Sequence, residues 1–282
     1  MTIATICICG AGTMGSGIAQ VAATAGFHVI IFDVNANTLQ HSQQMIDQQL
    51  QQLVAKNKLQ ADEARSILLR IRWVSDINDC IADLIIEAIV EKEAAKVALF
   101  NQLAEVNHSE TIFATNTSSL SVRAIAEKVM QPGRVAGMHF FNPAPLMKLV
   151  EVVSTPHTLA AVTETIEAVA HKMGKVTVRC IDAPGFIVNH VARPFYLEAL
   201  RLLEQGWASA ETIDAIMEAS GFKMGPFKLM DLIGNDINYA VSCSVYEQLG
   251  QPKRLKPSAI QEEKVRTGKL GRKSGEGYYR YQ

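Results

Sequence analysis

The stretch Ile3-Ala4-Thr5-Ile6-Cys7-Ile8-Cys9-Gly10-Ala11-Gly12-Thr13-Met14-Gly15 is a short apolar run that ends in a glycine-rich turn. Its glycines follow the spacing G-x-G-x-x-G, which is typical of a strand that turns sharply into a helix. Gly10 permits the tight turn, Gly12 leaves room for a phosphate beside the backbone, and Gly15 allows close helix packing. The stretch therefore predicts a strand, a turn and a helix whose N-terminus binds a pyrophosphate.

The residues after the turn strengthen this interpretation. A helical pattern over residues 16–25 is followed by a second apolar run at 28–32, which ends in Asp33. A carboxylate at this distance from the glycines can accept hydrogen bonds from the ribose hydroxyls of an adenine dinucleotide. A glycine-rich turn alone is weak evidence, but this order of strand, turn, helix, strand and acid predicts a bound dinucleotide. No arginine follows Asp33 in residues 34–37, so we expect NAD rather than NADP.

The bulk composition argues against a nucleic-acid-binding or membrane-surface protein. The chain has 282 residues, 48% of them hydrophobic and 20% charged, with a net charge of −1. These values are typical of a globular protein and favour neither a nucleic-acid partner nor a membrane surface. The cysteines are odd in number and scattered, which predicts a reducing, cytoplasmic location and no metal site: Cys7, Cys9, Cys80, Cys180 and Cys243.

The pattern along the chain predicts two domains. Up to residue 183, short apolar runs alternate with helical segments, which predicts a doubly wound, mainly parallel, Rossmann-like sheet. Two helices at 36–58 and 61–69 interrupt this pattern as a helical hairpin insertion, and the apolar run 84–90 is the next buried strand. Beyond residue 183 the pattern is helical throughout. We therefore expect an NAD-binding α/β domain at 1–183 and an all-α domain at 184–282.

A histidine and a glutamate stand out because they interrupt apolar strands. A dehydrogenase that oxidises an alcohol needs a base with a pKa near neutrality, and histidine is the usual choice. His139 lies inside the apolar run 135–141, and Glu151 lies in the next run, 149–153. A lone histidine in a strand is more often a core residue, but a buried carboxylate is rare without a partner. The two residues are therefore predicted to pair.

These residues, together with several other motifs, resemble the short-chain L-3-hydroxyacyl-CoA dehydrogenases of the bacterial 3-hydroxybutyryl-CoA type. The resemblance extends over essentially the whole chain. The matching motifs are Gly10-Ala11-Gly12-Thr13-Met14-Gly15, Asn116-Thr117-Ser118-Ser119, His139-Phe140-Phe141-Asn142-Pro143, Lys148-Leu149-Val150-Glu151-Val152, Pro184-Gly185-Phe186-Ile187-Val188-Asn189, Gly225-Pro226-Phe227 and Gly275-Glu276-Gly277-Tyr278-Tyr279.

The resemblance implies roles for individual residues. His139 is the general acid and base, Glu151 bonds the far side of its imidazole, and Ser118 and Asn189 bond the substrate oxygens. The residues implied to bind NAD are Gly10, Ala11, Gly12, Thr13, Met14, Gly15, Asp33, Glu91, Lys96, Ser118, Asn142 and Lys273. On the residues alone, a structural explanation is favoured for three of these: Ser118 as a helix cap, and Glu91 and Lys96 as solvated charges on a helix start.

The resemblance also implies an acyl-CoA substrate and a homodimer. The coenzyme A phosphate calls for a cation on the helical hairpin, where Lys56 aligns best and Lys58 is the alternative. Two rival functions remain open at this point. One is a dehydrogenase of a free 3-hydroxy acid or sugar acid on the same architecture, and the other is a non-catalytic NAD-binding structural protein.

Overall fold

The structure is a computed structural model in which residues 2–281 are described. The chain divides into two compact units, the first ending at Asp182 and the second beginning at Ala183. The boundary expected between residues 183 and 184 lies one residue away from this division. No helix within residues 2–281 combines the length and the apolar character that crossing a membrane requires.

The first unit is built on one eight-stranded sheet. The strands lie in the order β3-β2-β1-β4-β5-β6-β7-β8, and all neighbours are parallel except β6 and β7. This arrangement confirms the predicted doubly wound sheet. The strands are β1 Thr5–Cys9, β2 His28–Phe32, β3 Ile71–Val74, β4 Leu84–Glu87, β5 Ile112–Thr115, β6 Val135–Phe140, β7 Leu149–Ser154 and β8 Val176–Ile181.

Six helices accompany this sheet. α1 is a crossover between β1 and β2, as βαβ geometry requires for parallel strands. α2 and α3 pack against each other as the predicted hairpin. The helices are α1 Thr13–Thr24, α2 Ala36–Ala55, α3 Ala61–Leu69, α4 Glu93–Val106, α5 Val122–Ala126 and α6 Ala160–Lys172.

Three predicted boundaries in this unit are wrong by three residues. α1 begins at Thr13 rather than at residue 16, and the other two errors have a local cause. β4 ends at Glu87 rather than at residue 90, because the Glu87 carboxylate accepts a hydrogen bond from the Ile89 N–H and turns the chain. α2 ends at Ala55 rather than at residue 58. Asn57 there has a φ of 53°, a left-handed conformation that asparagine tolerates and that ends a helix.

The second unit contains only helices and short turns, apart from isolated bridges, among its described residues. Its apolar core includes Leu200, Phe227 and Met230, each with no exposed surface. Buried Asp231 fastens the C-terminal tail by accepting hydrogen bonds from the Tyr278 N–H at 2.9 Å and from the Tyr281 hydroxyl at 3.0 Å. The helices are α7 Val188–Glu204, α8 Ala210–Ala219, α9 Pro226–Ile233, α10 Asn235–Gln248 and α11 Ala259–Arg266.

Candidate active site

The glycine-rich turn has the shape that a pyrophosphate needs. Gly10 has a φ of 103°, and a Cβ atom there would lie 2.6 Å from the Ala88 carbonyl oxygen. A Cβ at Gly15 would lie 1.7 Å from the Gly10 carbonyl oxygen, so α1 packs directly on the turn. Around Gly12, by contrast, a Cβ would meet nothing within 4 Å. Gly12 also brings no side chain to cap α1, so the first-turn N–H groups can bind a phosphate.

The carboxylate of Asp33 is held at the end of β2 by two backbone amides. Its Oδ2 accepts a hydrogen bond from the Ala11 N–H at 2.9 Å, and its Oδ1 accepts one from the Asn35 N–H at 2.9 Å. The bond to Ala11 joins the acid directly to the glycine-rich turn, a contact that the sequence pattern did not indicate. Each oxygen keeps acceptor capacity for a ribose hydroxyl. The turn and Asp33 therefore fit an adenine dinucleotide.

A second carboxylate, Glu91, organises the turn that carries Ser118. Its Oε1 accepts hydrogen bonds from the Thr117 hydroxyl at 2.5 Å and from the Ser118 N–H at 3.0 Å. Burial alone would raise the pKa of Glu91, but the Lys96 ammonium and these hydrogen bonds outweigh it and lower the pKa. Glu91 is therefore ionised at neutral pH and holds the turn through its negative charge.

Behind this turn lies a buried ion pair that the sequence reasoning missed. The Lys96 ammonium is 2.7 Å from Glu87 Oε1 and 3.1 Å from Glu91 Oε2, and only 1% of the Lys96 side chain is exposed. Glu87 Oε2 accepts a further hydrogen bond from the Thr115 hydroxyl at 2.7 Å. Burial raises the pKa of Glu87, with Lys96 opposing the effect. Glu87 interrupts an apolar strand just as Glu151 does, and that signal could have revealed it.

The predicted histidine and glutamate lie directly opposite each other. His139 on β6 and Glu151 on β7 are register partners of the antiparallel pair, and both side chains are buried. The distance from His139 Nδ1 to Glu151 Oε2 is 2.7 Å. This geometry fixes the orientation of the imidazole, and it gives the ring a carboxylate partner on one nitrogen.

Comparison with known proteins settles the family. The 3-hydroxyacyl-CoA dehydrogenase NAD-binding domain matches residues 5–183, and the C-terminal domain of the same enzymes matches residues 185–281. The chain belongs to the 3-hydroxyacyl-CoA dehydrogenase family. Its cofactor is accordingly NAD.

Individual relatives of this dehydrogenase agree with the family assignment. The chain is 48% identical to a 3-hydroxyadipyl-CoA dehydrogenase of Escherichia coli K12 over 99% of its own length, but it spans only 59% of that relative. It is 40% identical to a probable 3-hydroxybutyryl-CoA dehydrogenase of Deinococcus radiodurans, covering 97% of this chain and 99% of the relative. A solved 3-hydroxybutyryl-CoA dehydrogenase from Escherichia coli superposes with a TM-score of 0.95 at 48% identity, over all of this chain and 60% of the other.

The loop that follows β6 is held by Lys175, a lysine that directly precedes the edge strand β8. Asn142, predicted to lie near the nicotinamide, is exposed two residues beyond β6. The buried ammonium of Lys175 donates hydrogen bonds to the carbonyl oxygens of Ala144 at 2.6 Å and Met147 at 2.9 Å. Burial lowers the pKa of Lys175. This clamp restricts the loop that carries Asn142.

Two further predicted binding residues belong to the helical hairpin, and two belong to the second unit. Lys56 and Lys58 are exposed just after the end of α2, at the tip of the hairpin. In the second unit, Asn189 is the second residue of α7, and the Lys273 ammonium forms an ion pair with Asp236. The roles of these four residues stay predictions, as do those of Ser118, His139 and Glu151.

Proposed function

We propose that this chain catalyses the NAD-dependent oxidation of (S)-3-hydroxyacyl-CoA to 3-oxoacyl-CoA, together with the reverse reduction. The observation that carries the proposal is the buried pair of His139 and Glu151, an imidazole and a carboxylate 2.7 Å apart. The pair belongs to the same compact unit as the glycine-rich turn and Asp33, which fit NAD. Membership of the family supports the substrate class.

In the oxidation, His139 accepts the proton of the C3 hydroxyl. Because Nδ1 faces Glu151, the neutral ring carries its proton on Nδ1, and Nε2 is the basic nitrogen. Glu151 then stabilises the imidazolium that forms. NAD, when bound, accepts the hydride from C3. Ser118 and Asn189 hold the substrate oxygens by hydrogen bonds.

The test is to replace the base and its partner. We expect His139→Gln to lower kcat by about 10²–10⁴-fold, the usual contribution of a general base, while NADH still binds. Glu151→Gln lowers kcat less, because the amide no longer enforces one tautomer. The matched control is His157→Gln, which breaks an exposed histidine–glutamate contact with Glu127 and leaves kcat unchanged. Full activity of His139→Gln would refute the mechanism, and turnover of free 3-hydroxybutyrate alone would support a free-acid dehydrogenase.

Preference for NAD over NADP tests the role of Asp33. Its carboxylate would repel a 2′-phosphate, and no arginine stands in residues 34–37 to attract one. We expect kcat/KM with NADH to exceed that with NADPH clearly. Comparable values for the two cofactors would contradict the role given to Asp33.

The coenzyme A contact is proposed for Lys56. A phosphate contact at an exposed lysine is partly solvated, so Lys56→Ala weakens acyl-CoA binding by about 1 kcal/mol and leaves NADH affinity unchanged. Lys58→Ala is the matched variant on the same hairpin tip. If KM for acetoacetyl-CoA rises only in Lys58→Ala, the contact belongs to Lys58 instead.

We also propose a cytoplasmic homodimer. The second unit exposes large apolar side chains that a partner subunit would cover, including Val191 at 70% and Trp207 at 74% exposure. All five cysteines are free, which is typical of proteins in a reducing compartment. Light scattering at micromolar concentration tests the assembly, and a monomer mass would refute it.

Two acyl chains are candidates for the substrate. Relatives are named for the four-carbon 3-hydroxybutyryl group and for the six-carbon 3-hydroxyadipyl group, which ends in a second carboxylate. The first candidate is a short unsubstituted chain. The second is a chain with a terminal carboxylate, as in the name of the 3-hydroxyadipyl relative. Sequence identity does not separate the two candidates, because relatives named for either substrate share 48% identity with this chain. Initial rates of NADH oxidation with a series of 3-oxoacyl-CoA esters distinguish them.

A further inference from the structure

Arg193 is a cation buried inside the helical unit, with 2% of its surface exposed. Its Nε donates a hydrogen bond to the Asn189 carbonyl oxygen at 2.9 Å. Its Nη1 donates to the Asn238 carbonyl oxygen at 3.0 Å and to the Ser242 hydroxyl at 2.8 Å. All three acceptors are neutral, and within residues 2–281 the second terminal nitrogen, Nη2, has no acceptor.

The charge of this guanidinium therefore has no anionic partner in the protein, and the face of the Tyr196 ring, whose centroid is 5.0 Å from Cζ, is a further neutral contact. Among the described residues, no carboxylate forms an ion pair with Arg193, although buried charges are normally paired. Burial lowers the pKa of Arg193 to about 10, so the group is still charged at neutral pH. Lys175 is also buried among neutral acceptors, but its two carbonyl partners belong to the loop after β6 and explain its position.

The position of Arg193 connects it with the substrate. It lies four residues beyond Asn189 on α7, about 6 Å along the helix axis, and its Nε contacts the backbone of Asn189 itself. Asn189 is the residue proposed to bond a substrate oxygen. In a 3-hydroxyadipyl chain, the terminal carboxylate is three carbons beyond C3. An acyl chain bonded near C3 by Asn189 and extended along α7 would bring that carboxylate to the guanidinium.

We propose that Arg193 binds the terminal carboxylate of a dicarboxylic 3-hydroxyacyl-CoA through Nη2 and so selects this substrate class. The inference rests on the proposed dehydrogenase function and deepens it. A planar guanidinium suits a carboxylate better than an ammonium does, because its nitrogens donate in a fixed fork. Such a ligand would supply the negative charge that the described residues do not place beside Arg193.

The experiment compares two 3-oxoacyl-CoA esters of equal length, 3-oxoadipyl-CoA and 3-oxohexanoyl-CoA, which differ only in the terminal carboxylate. We expect Arg193→Met to lower kcat/KM for 3-oxoadipyl-CoA at least about thirty-fold, because the loss of a buried charge partner is large. For 3-oxohexanoyl-CoA we expect a change of no more than about threefold. Arg193→Lys retains the charge without the fork and gives an intermediate loss for 3-oxoadipyl-CoA.

Arg201→Met is the matched control. Arg201 lies on the same helix, but it is partly exposed and contacts Glu198, so its removal leaves the ratio of the two rates unchanged. Equal losses of both activities in Arg193→Met would overturn the proposal and give Arg193 a purely structural role. Unchanged activity with both esters would overturn it as well.

Two further results separate this inference from the proposed function. If the wild-type enzyme reduces 3-oxohexanoyl-CoA but not 3-oxoadipyl-CoA, the carboxylate site is refuted and the dehydrogenase function stands. If it reduces no 3-oxoacyl-CoA, the proposed function itself fails. If Arg193→Met does not fold, the test is made on the wild-type enzyme, by comparing kcat/KM for 3-oxoadipyl-CoA and for its terminal methyl ester. Equal values for the two substrates would refute the carboxylate site.

Discussion

Lys96 and Arg193 are both cations buried within their own units, and their surroundings differ in one respect. Lys96 lies between two carboxylates, with Glu87 at 2.7 Å and Glu91 at 3.1 Å. Arg193 donates its hydrogen bonds to two carbonyls and a hydroxyl, all neutral. The charge of Lys96 is thus neutralised by carboxylates of the protein, whereas the charge of Arg193 can still attract an external anion.

The difference separates two uses of a buried charge. Pairing a buried cation with carboxylates seldom adds much stability, because desolvation of both ions offsets their attraction. The Lys96 pairs join α4 to Glu87 and Glu91 at and just after the end of β4. These two carboxylates in turn accept hydrogen bonds from Thr115 and Thr117 at and just after the end of β5, which orients the turn that carries Ser118. Arg193 also connects α7 to α10 through hydrogen bonds to Asn238 and Ser242, but its charge has no carboxylate partner, and ligand recognition gives its retention a physical reason. The stability of matched variants distinguishes these two situations.

The largest effect is expected from Lys96→Met, which leaves the Glu87 carboxylate buried without its cation. Loss of one partner of a buried pair costs about 3–5 kcal/mol, measured as the free energy of unfolding in urea. The double variant Glu87→Gln/Lys96→Met recovers most of this loss, because the neutral amide needs no counter-charge. Strictly additive losses in the double-mutant cycle would show that the two side chains do not interact.

The Lys96→Met loss is also expected to depend on pH. Burial raises the pKa of Glu87 above its unfolded value, so the folded protein binds a proton that the unfolded chain releases. Stability from this group is therefore fully present below about pH 4.3 and is lost as pH rises through the folded-state pKa. In Lys96→Met no cation opposes the effect of burial on Glu87. The free energy of unfolding that this variant loses is therefore smallest near pH 4 and largest near neutrality. A loss of unfolding free energy that does not vary with pH would contradict the raised pKa of Glu87.

A smaller effect is expected from Arg193→Met. The variant loses hydrogen bonds to the carbonyls of Asn189 and Asn238, but Ser242 still donates to the Asn238 carbonyl at 3.0 Å. Methionine also removes a desolvated charge that no carboxylate compensates. We expect a loss of about 1–2 kcal/mol in the free energy of unfolding. A loss as large as that of Lys96→Met would remove the contrast between the two cations.

Glu91→Gln ranks third, because 37% of the Glu91 side chain is exposed and solvent screens its interactions. We expect a loss of about 0.5–1 kcal/mol at pH 7. Since the folded-state pKa of Glu91 is lowered, its contribution is present above the unfolded pKa and disappears as pH falls through the folded value. The loss in Glu91→Gln therefore vanishes in acid, which urea unfolding at several pH values checks. A loss that grows toward low pH would be inconsistent with an ionised Glu91.

The smallest effect is expected from Glu93→Gln, which serves as the control on the same helix as Lys96. Glu93 pairs with Lys128, whose side chain is 61% exposed. Exposed pairs contribute little, so we expect a change within about 0.5 kcal/mol. A larger change would mean that stability depends on the total charge of α4 rather than on burial of the pair.

The dinucleotide site and the histidine–glutamate pair were predictable because their signals are local. Glycine spacing, the acid at the end of β2 and a histidine inside an apolar strand can be recognised without knowing the fold. The Glu87–Lys96 pair was missed because nothing in the chain between the two residues marks their contact. Arg193 was missed because burial of a charged residue on an amphipathic helix depends on which neighbours pack over it.

The amino-acid sequence by itself determined the alternation of strands and helices, the change to helices after residue 183, and the residue types that suit NAD and proton transfer. These features follow from hydrophobic periodicity and from side-chain chemistry, which act over a few residues. Only the tertiary structure decided that Asp33 bonds Ala11, that Lys96 pairs with both Glu87 and Glu91, and that Arg193 has only neutral partners. Contacts of this kind depend on strand order and helix packing, which bring together residues far apart in the chain.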